Sequence, residues 1–144
     1  MSEVTEVSEP SPDDVARHMY ASDQASQLLG ITIEHVDDGS STLSMVVRDD
    51  MVNGLDVCHG GFVFTLADSA MAFASMGGNH ASLASSATID WLAPAFRGTR
   101  LVATATTVRQ GRRAGLTDVT VSDADGELVA VFRGRTSRTG APVV

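Results

Sequence analysis

Gly61-Phe62-Val63-Phe64-Thr65-Leu66-Ala67-Asp68-Ser69-Ala70-Met71-Ala72-Phe73-Ala74-Ser75-Met76 is the stretch on which the fold turns. It is longer than a typical strand, rich in Ala, Leu and Met, and closed by Gly77-Gly78, so it reads as a helix. Apolar residues fall on nearly every side of it, which marks a buried helix and not a surface one. Such a helix must be surrounded, and an antiparallel sheet long enough to curl around it would do so.

The flanking sequence supplies that sheet. Upstream, Ser11-Pro12-Asp13-Asp14 is a helix start: Ser11 caps, Pro12 suits the first helical position, and the acids favour the positive end of the dipole. Ser22-Asp23 can break and re-cap this helix, and Gly30 stops it. Ile31 to Val36 and Thr42 to Arg48 read as strands joined by a hairpin at Asp38-Gly39, and Met51 to Gly60 reads as a loop. Downstream, Ser82 to Leu92, Arg100 to Arg109, Gly115 to Ser122 and Glu127 to Ser137 are strand-length runs with much Val, Thr and Phe. About six strands and one long apolar helix give an α+β class.

The chain has 144 residues, one domain's worth, with 43% hydrophobic and 19% charged residues. The segment 1–10 carries Glu3, Glu6 and Glu9 and neither a basic residue nor an apolar run. It reads as a disordered acidic tail and not a signal peptide, with a single domain over 11–144. No uncharged run is long enough to span a membrane, so a cytoplasmic protein is expected. The single cysteine, Cys58, excludes an internal disulfide, and the four histidines lack metal-ligand spacing. The formal net charge of -8 makes nucleic acid or anionic lipid a poor partner. Between Arg97 and Arg138, however, eight arginines face four acids, which is either a solvated sheet face or a site for a polyanionic small molecule.

Asp68 is the only charged residue between His59 and His80. A carboxylate in apolar company is costly unless it has a partner or a task. It either faces solvent or a structural partner, or it is a nucleophile or base kept in a dry cleft. His59-Gly60-Gly61 opens the helix, where free backbone N–H groups favour negative charge and glycine lets a ligand approach closely. That is oxyanion-hole chemistry if a carbonyl is delivered there. Asn53-Gly54 is a turn, or Asn53 polarises a carbonyl or positions water. Cys58 and His59 are sequence neighbours that point apart in extended backbone, which argues against a Cys–His pair.

The run Asn53-Gly54, Cys58-His59-Gly60-Gly61, Leu66-Ala67-Asp68 and Ala72-Phe73-Ala74 resembles the signature of hotdog-fold acyl-CoA thioesterases, specifically the phenylacetate-degradation branch. The likeness continues through Ala87 to Pro94, Arg109-Gln110-Gly111 and Val131 to Arg135, about 120 residues in all. It implies a hotdog fold, a curved antiparallel sheet wrapped on one long helix, and hydrolysis of an acyl-CoA thioester to free acid and CoA. It places the catalytic carboxylate on Asp68, the oxyanion donor on the Gly60 N–H, the orienting amide on Asn53 and a site histidine on His59. Gly61 is taken as substrate-binding. Some relatives use a hydroxyl on the strand after the helix. The equivalent position here is Ala84, with Ser85 and Ser86 just beyond, and Ser86 is the candidate. No cofactor is implied, since CoA is part of the substrate.

Gly60 and Asp68 are eight residues apart, about 12 Å along one helix axis, so they cannot both touch one thioester carbon. If both act, two helices lie side by side, and the site needs a homodimer. The resemblance implies the same, with a homotetramer of two such dimers. Arg112, Arg113 and Arg138 are candidates for the CoA phosphates. An aromatic acyl group is what the branch implies, with Phe64, Met71, Met76 and Trp91 expected to shape its pocket. The alternatives are a hotdog-fold hydratase acting on unsaturated acyl thioesters and a non-catalytic acyl-CoA sensor.

Overall fold

The computed structural model describes residues 5–144; Met1–Val4 of the expected tail lie outside the described residues. Residues 5–10 form neither helix nor strand and stand largely exposed. Helix α1 (Pro12–Ser22) begins with a full capping box: Ser11 Oγ accepts from the Asp14 N–H, and the Asp14 carboxylate accepts from the Ser11 N–H. Asp23 ends it and re-caps α2 (Gln24–Leu28) through the Ser26 N–H at 2.9 Å. Strands β1 (Thr32–Asp37) and β2 (Ser40–Val46) pair across a two-residue Asp38-Gly39 loop. Gly39 sits at φ 86°, which L side chains resist and this turn requires.

A 3-10 turn (Asp49–Met51) and a loop lead into α3 (Gly60–Met76), and β3 (Ser82–Trp91), β4 (Arg100–Gln110), β5 (Ala114–Ser122) and β6 (Leu128–Arg138) follow. The six strands form one antiparallel sheet in the order β1-β2-β4-β5-β6-β3. Helix α3 packs against every strand, the hotdog arrangement. Alternation along β4 and β5 turns Leu101, Ala103, Ala105, Val119 and Val121 towards α3, which buries Leu66, Ala67, Ala70, Met71, Phe73 and Ala74. Alanine on both surfaces lets helix and sheet approach closely.

The helix is not enclosed on every side, contrary to its apolar character. Thr65, Asp68, Ala72 and Met76 remain half-buried and Gly61 exposed. These positions fall at i, i+4, i+7, i+11 and i+15, a single stripe along one face. Six strands cover one side of α3 and leave this stripe uncovered. The two sheet edges also differ. Beside β1, α1 closes over the chain, and the Tyr20 hydroxyl donates to the Ile31 carbonyl at 2.7 Å. Strand β3 pairs with β6 alone, and Leu83 on it is 69% exposed.

Candidate active site

His59 is the N-cap of α3, and its Nδ1 accepts from the Gly61 N–H at 2.9 Å. The proton of the neutral imidazole therefore sits on Nε2. The first amide of a helix has no intrahelical acceptor. With Gly61 taken by His59, the Gly60 N–H is left without a protein acceptor among the described residues. The ring of His59 stands edge-on to Phe62.

The preceding loop folds back on itself through an antiparallel bridge between Val52 and Cys58, with the His59 N–H donating to the Met51 carbonyl at 2.8 Å. This pairs Asn53 with Val57, three residues before the helix, the Asn53 N–H donating to the Val57 carbonyl at 2.8 Å. Asn53 Oδ1 accepts from the N–H groups of Leu55 (2.9 Å) and Val57 (3.4 Å). Its Nδ2 has no acceptor among the described residues and is a free donor. Asn53 and Gly60 are thus two free donors, one in this compact loop and one at the helix start it leads into. The buried Cys58 lies behind them: its thiol points at the His59 carbonyl (3.6 Å), and burial pushes its pKa up, so it stays protonated.

Asp68 lies on the open stripe of α3, two turns further on. It has no hydrogen-bond or ion-pair partner among the described residues, and burial pushes its carboxyl above the ordinary value of 3.8. One chain does not bring Asp68 to the Gly60 amide, since the helix separates them by about 12 Å.

Beside Gly60 lies a groove of about 340 Å³ lined by Val57, Val63, Trp91, Leu92, Ala95 and Val129. Trp91 Nε1 donates to the Gly60 carbonyl at 3.2 Å. Of the four side chains expected to shape a pocket, only Trp91 lines this groove. Met71 is fully buried in the core, Phe64 packs edge-on against Phe132, and Met76 ends the helix.

Arg112, Arg113 and Arg138, chosen from charge alone, come together in a cleft of about 790 Å³ with Asn79, His80 and Glu9. The Arg138 N–H donates to the Arg113 carbonyl at 2.7 Å, which ties the β4–β5 turn to the end of β6. None of the three forms an ion pair among the described residues, and Arg138 Nε is buried without an acceptor. The cleft lies beyond the C-terminal end of α3, whose last residue, Met76, is about 12 Å past Asp68 along the axis. His80 was not singled out by sequence, where it is one of four scattered histidines and nothing ties it to the distant arginines. Ser86 lies on the exposed edge strand β3, paired with Arg135, and the register shift there leaves Ser85 with its hydroxyl on the Arg135 carbonyl at 3.3 Å. Among the described residues no group of three or more His, Cys, Asp or Glu could hold a metal ion, and no helix is long and apolar enough to cross a membrane.

The sequence profile of the thioesterase superfamily matches residues 55–130. The chain is 40% identical over 128 residues to the acyl-coenzyme A thioesterase PaaI of Escherichia coli K12, covering 89% of this chain and 91% of that one. The solved structure of the E. coli PaaI protein from the phenylacetic acid degradation operon superposes with a TM-score of 0.90, covering 91% of this chain and 95% of that one at 39% identity. A variant of the phenylacetic acid degradation protein PaaI from Thermus thermophilus superposes with a TM-score of 0.75 at 34% identity, covering 78% of this chain and 96% of that one.

Proposed function

The chain belongs to the thioesterase superfamily and is a hydrolase of thioester bonds, and we propose that it is an acyl-CoA thioesterase acting on an aryl-acyl CoA such as phenylacetyl-CoA or a hydroxylated relative. The observation that carries this reading is the helix start. The Gly60 N–H is left open because His59 occupies the next amide, and the Asn53 amide is a free donor in the loop that leads into the helix.

A thioester carbonyl oxygen received by these two donors gains negative charge as its carbon is attacked, and the positive end of α3 favours that charge. Asp68 takes the proton of a water as it adds, or attacks the carbon itself to give a mixed anhydride that water then opens. In either route the C–S bond breaks, the electron pair leaves with the CoA thiolate, and the free acid forms. Burial raises the Asp68 pKa, which makes its carboxylate a stronger base than an exposed one.

With about 12 Å between them on one helix, Gly60 and Asp68 act on one carbonyl only when they come from opposite chains. Two features support a homodimer: the open stripe Gly61, Thr65, Asp68, Ala72, Met76 along α3, and the long uncovered edge β3. Both present small or exposed groups to a second copy, and two such dimers would complete a homotetramer. The arginine cleft is the site for the CoA phosphates, which would supply the acceptor that Arg138 Nε lacks.

A thiol-release assay with acetyl-, hexanoyl- and phenylacetyl-CoA tests the reading. Free thiol and free acid in equal amounts, fastest from the aryl ester, are expected. Tight binding of all three without thiol release would make the protein a sensor. A 3-hydroxyacyl-CoA formed from an unsaturated ester would make it a hydratase.

A further inference from the structure

We propose that Trp91 is the residue that reads the acyl group: its indole forms one wall of the acyl subsite, and a flat acyl group stacks on it. The inference rests on the functional reading above. It begins from position. Trp91 closes β3 and reaches back across the start of α3, where its Nε1–H is fixed on the Gly60 carbonyl at 3.2 Å. A Cβ at Gly60 would lie 3.0 Å from the indole, tighter than a side chain tolerates without the ring moving. Glycine at this position therefore does two things. It leaves the amide open to an oxygen, and it lets the indole lie directly against the backbone that carries that amide.

The indole is held at one end and open at the other. It is 54% exposed although large aromatic surface is costly to leave in water, and it lines the groove that Gly60 also lines. The remaining walls, Val57, Val63, Leu92, Ala95 and Val129, are apolar. No charged side chain lines this groove, so it suits the acyl group and not the CoA phosphates. Gly60 itself lines the groove, so a thioester whose carbonyl oxygen is held at the Gly60 N–H has these apolar walls next to it. A planar ring there gains aromatic contact with the indole that a short straight chain lacks, worth roughly a tenfold preference.

The chain contains one tryptophan, so its fluorescence reports this site alone. Two measurements test the proposal. First, the intrinsic fluorescence is titrated with a non-hydrolysable phenylacetyl-CoA thioether, a hexanoyl-CoA thioether and free CoA, with binding followed in parallel by calorimetry. A large change with the aryl thioether, a smaller one with the hexanoyl thioether and almost none with bound CoA is expected. Calorimetric binding of the aryl thioether with silent fluorescence would overturn the assignment, whatever the enzyme's turnover. Second, kcat/KM is compared for Trp91→Phe and Trp91→Leu. Phe keeps a ring and should keep most of the aryl preference; Leu should lose roughly tenfold on the aryl ester and at most a few-fold on the hexanoyl ester. Equal losses on both esters in the Leu variant would reduce Trp91 to a structural prop. Fluorescence response without thiol release would leave Trp91 in its subsite and overturn hydrolysis instead. Thiol release with silent fluorescence would do the reverse.

Discussion

The two ends of α3 meet their surroundings in opposite ways. At the first turn the backbone supplies the polar groups. One amide is engaged by His59 Nδ1, one is left open at Gly60, and the adjoining groove is apolar. Beyond the last turn side chains supply them: Arg112, Arg113 and Arg138 crowd a wider cleft that Glu9 also lines, and none of the three forms an ion pair among the described residues. In the proposed reading the first end receives a neutral group that becomes charged for an instant, and the second an anion that is charged throughout. Asp68 lies between them, about 12 Å from either end of the helix. The contrast is that between differential binding of a transition state and uniform binding of a substrate.

The largest effect should come from removing the group between the two ends. Asp68→Asn is expected to lower kcat by at least ~100-fold while the fold persists, since base or nucleophile is lost. Unchanged kcat would take Asp68 out of the mechanism. The same variant has a stability signature with a definite sign. Burial raises the folded-state pKa of Asp68 above its unfolded value, so ionisation costs more in the folded chain. That cost is absent well below pH 3.8, where both states hold the proton, and is complete above the folded-state pKa. Asp68→Asn should therefore raise the Tm at neutral pH, with the gain vanishing in acid. A Tm lowered at neutral pH would reveal a stabilising partner for the carboxylate. In the wild type, kcat/KM should fall as pH drops through that same raised pKa.

The proposed division between chains gives the next effect. Asp68→Ala and Asn53→Ala, each inactive alone, are mixed under subunit exchange. Half of randomly mixed dimers are heterodimers, and one of the two sites in each pairs intact Asn53 with intact Asp68. Activity should recover to about a quarter of wild type. With complete sites inside single chains, every site keeps a lesion and nothing returns.

At the cleft, the effect is confined to binding. Arg112→Ala with Arg113→Ala should raise the KM for acyl-CoA roughly tenfold at low salt, with kcat nearly unchanged, and wild-type KM should rise with ionic strength. A fall in kcat with no change in KM would place the CoA phosphates elsewhere.

These predictions draw unequally on sequence. The long helix, the Asp23 re-cap between α1 and α2, the Asp38-Gly39 turn and six strands were legible because each follows from local chemistry: periodicity, a capping side chain, a turn residue. Strand order was not, because the β3 position beside β6 follows from how the sheet wraps α3 and not from any local run. The open stripe of α3 was misjudged for a related reason. Alanines at Ala67, Ala70, Ala72 and Ala74 look equally apolar, and only the sheet decides which three are buried and which is left half-covered. At the site, Gly60 and Asp68 could be picked out individually. The competition that leaves the Gly60 amide open depends on the His59 rotamer, and the convergence of His80 with three arginines depends on the ends of β4, β5 and β6 meeting.

The smallest effect tests whether the chemistry of the helix start belongs to the backbone at all. Cys58 is the one intrinsically nucleophilic side chain near Gly60, and a thiol mechanism would make it indispensable. Its surroundings oppose this. The side chain is buried, burial raises its pKa so that little thiolate exists near neutrality, and its proton points at the His59 carbonyl and not at the imidazole. His59 Nδ1 is meanwhile committed to the Gly61 N–H, so no base stands ready to take a thiol proton. Serine is close in size, and its hydroxyl can donate to the same carbonyl. Cys58→Ser should therefore keep kcat within a few-fold and lower the Tm slightly, because a hydroxyl is costlier than a thiol to bury. A well-folded Cys58→Ser variant that releases no thiol would shift the chemistry from the open Gly60 amide and Asp68 to the cysteine. The two ends of α3 would then no longer divide the work as proposed.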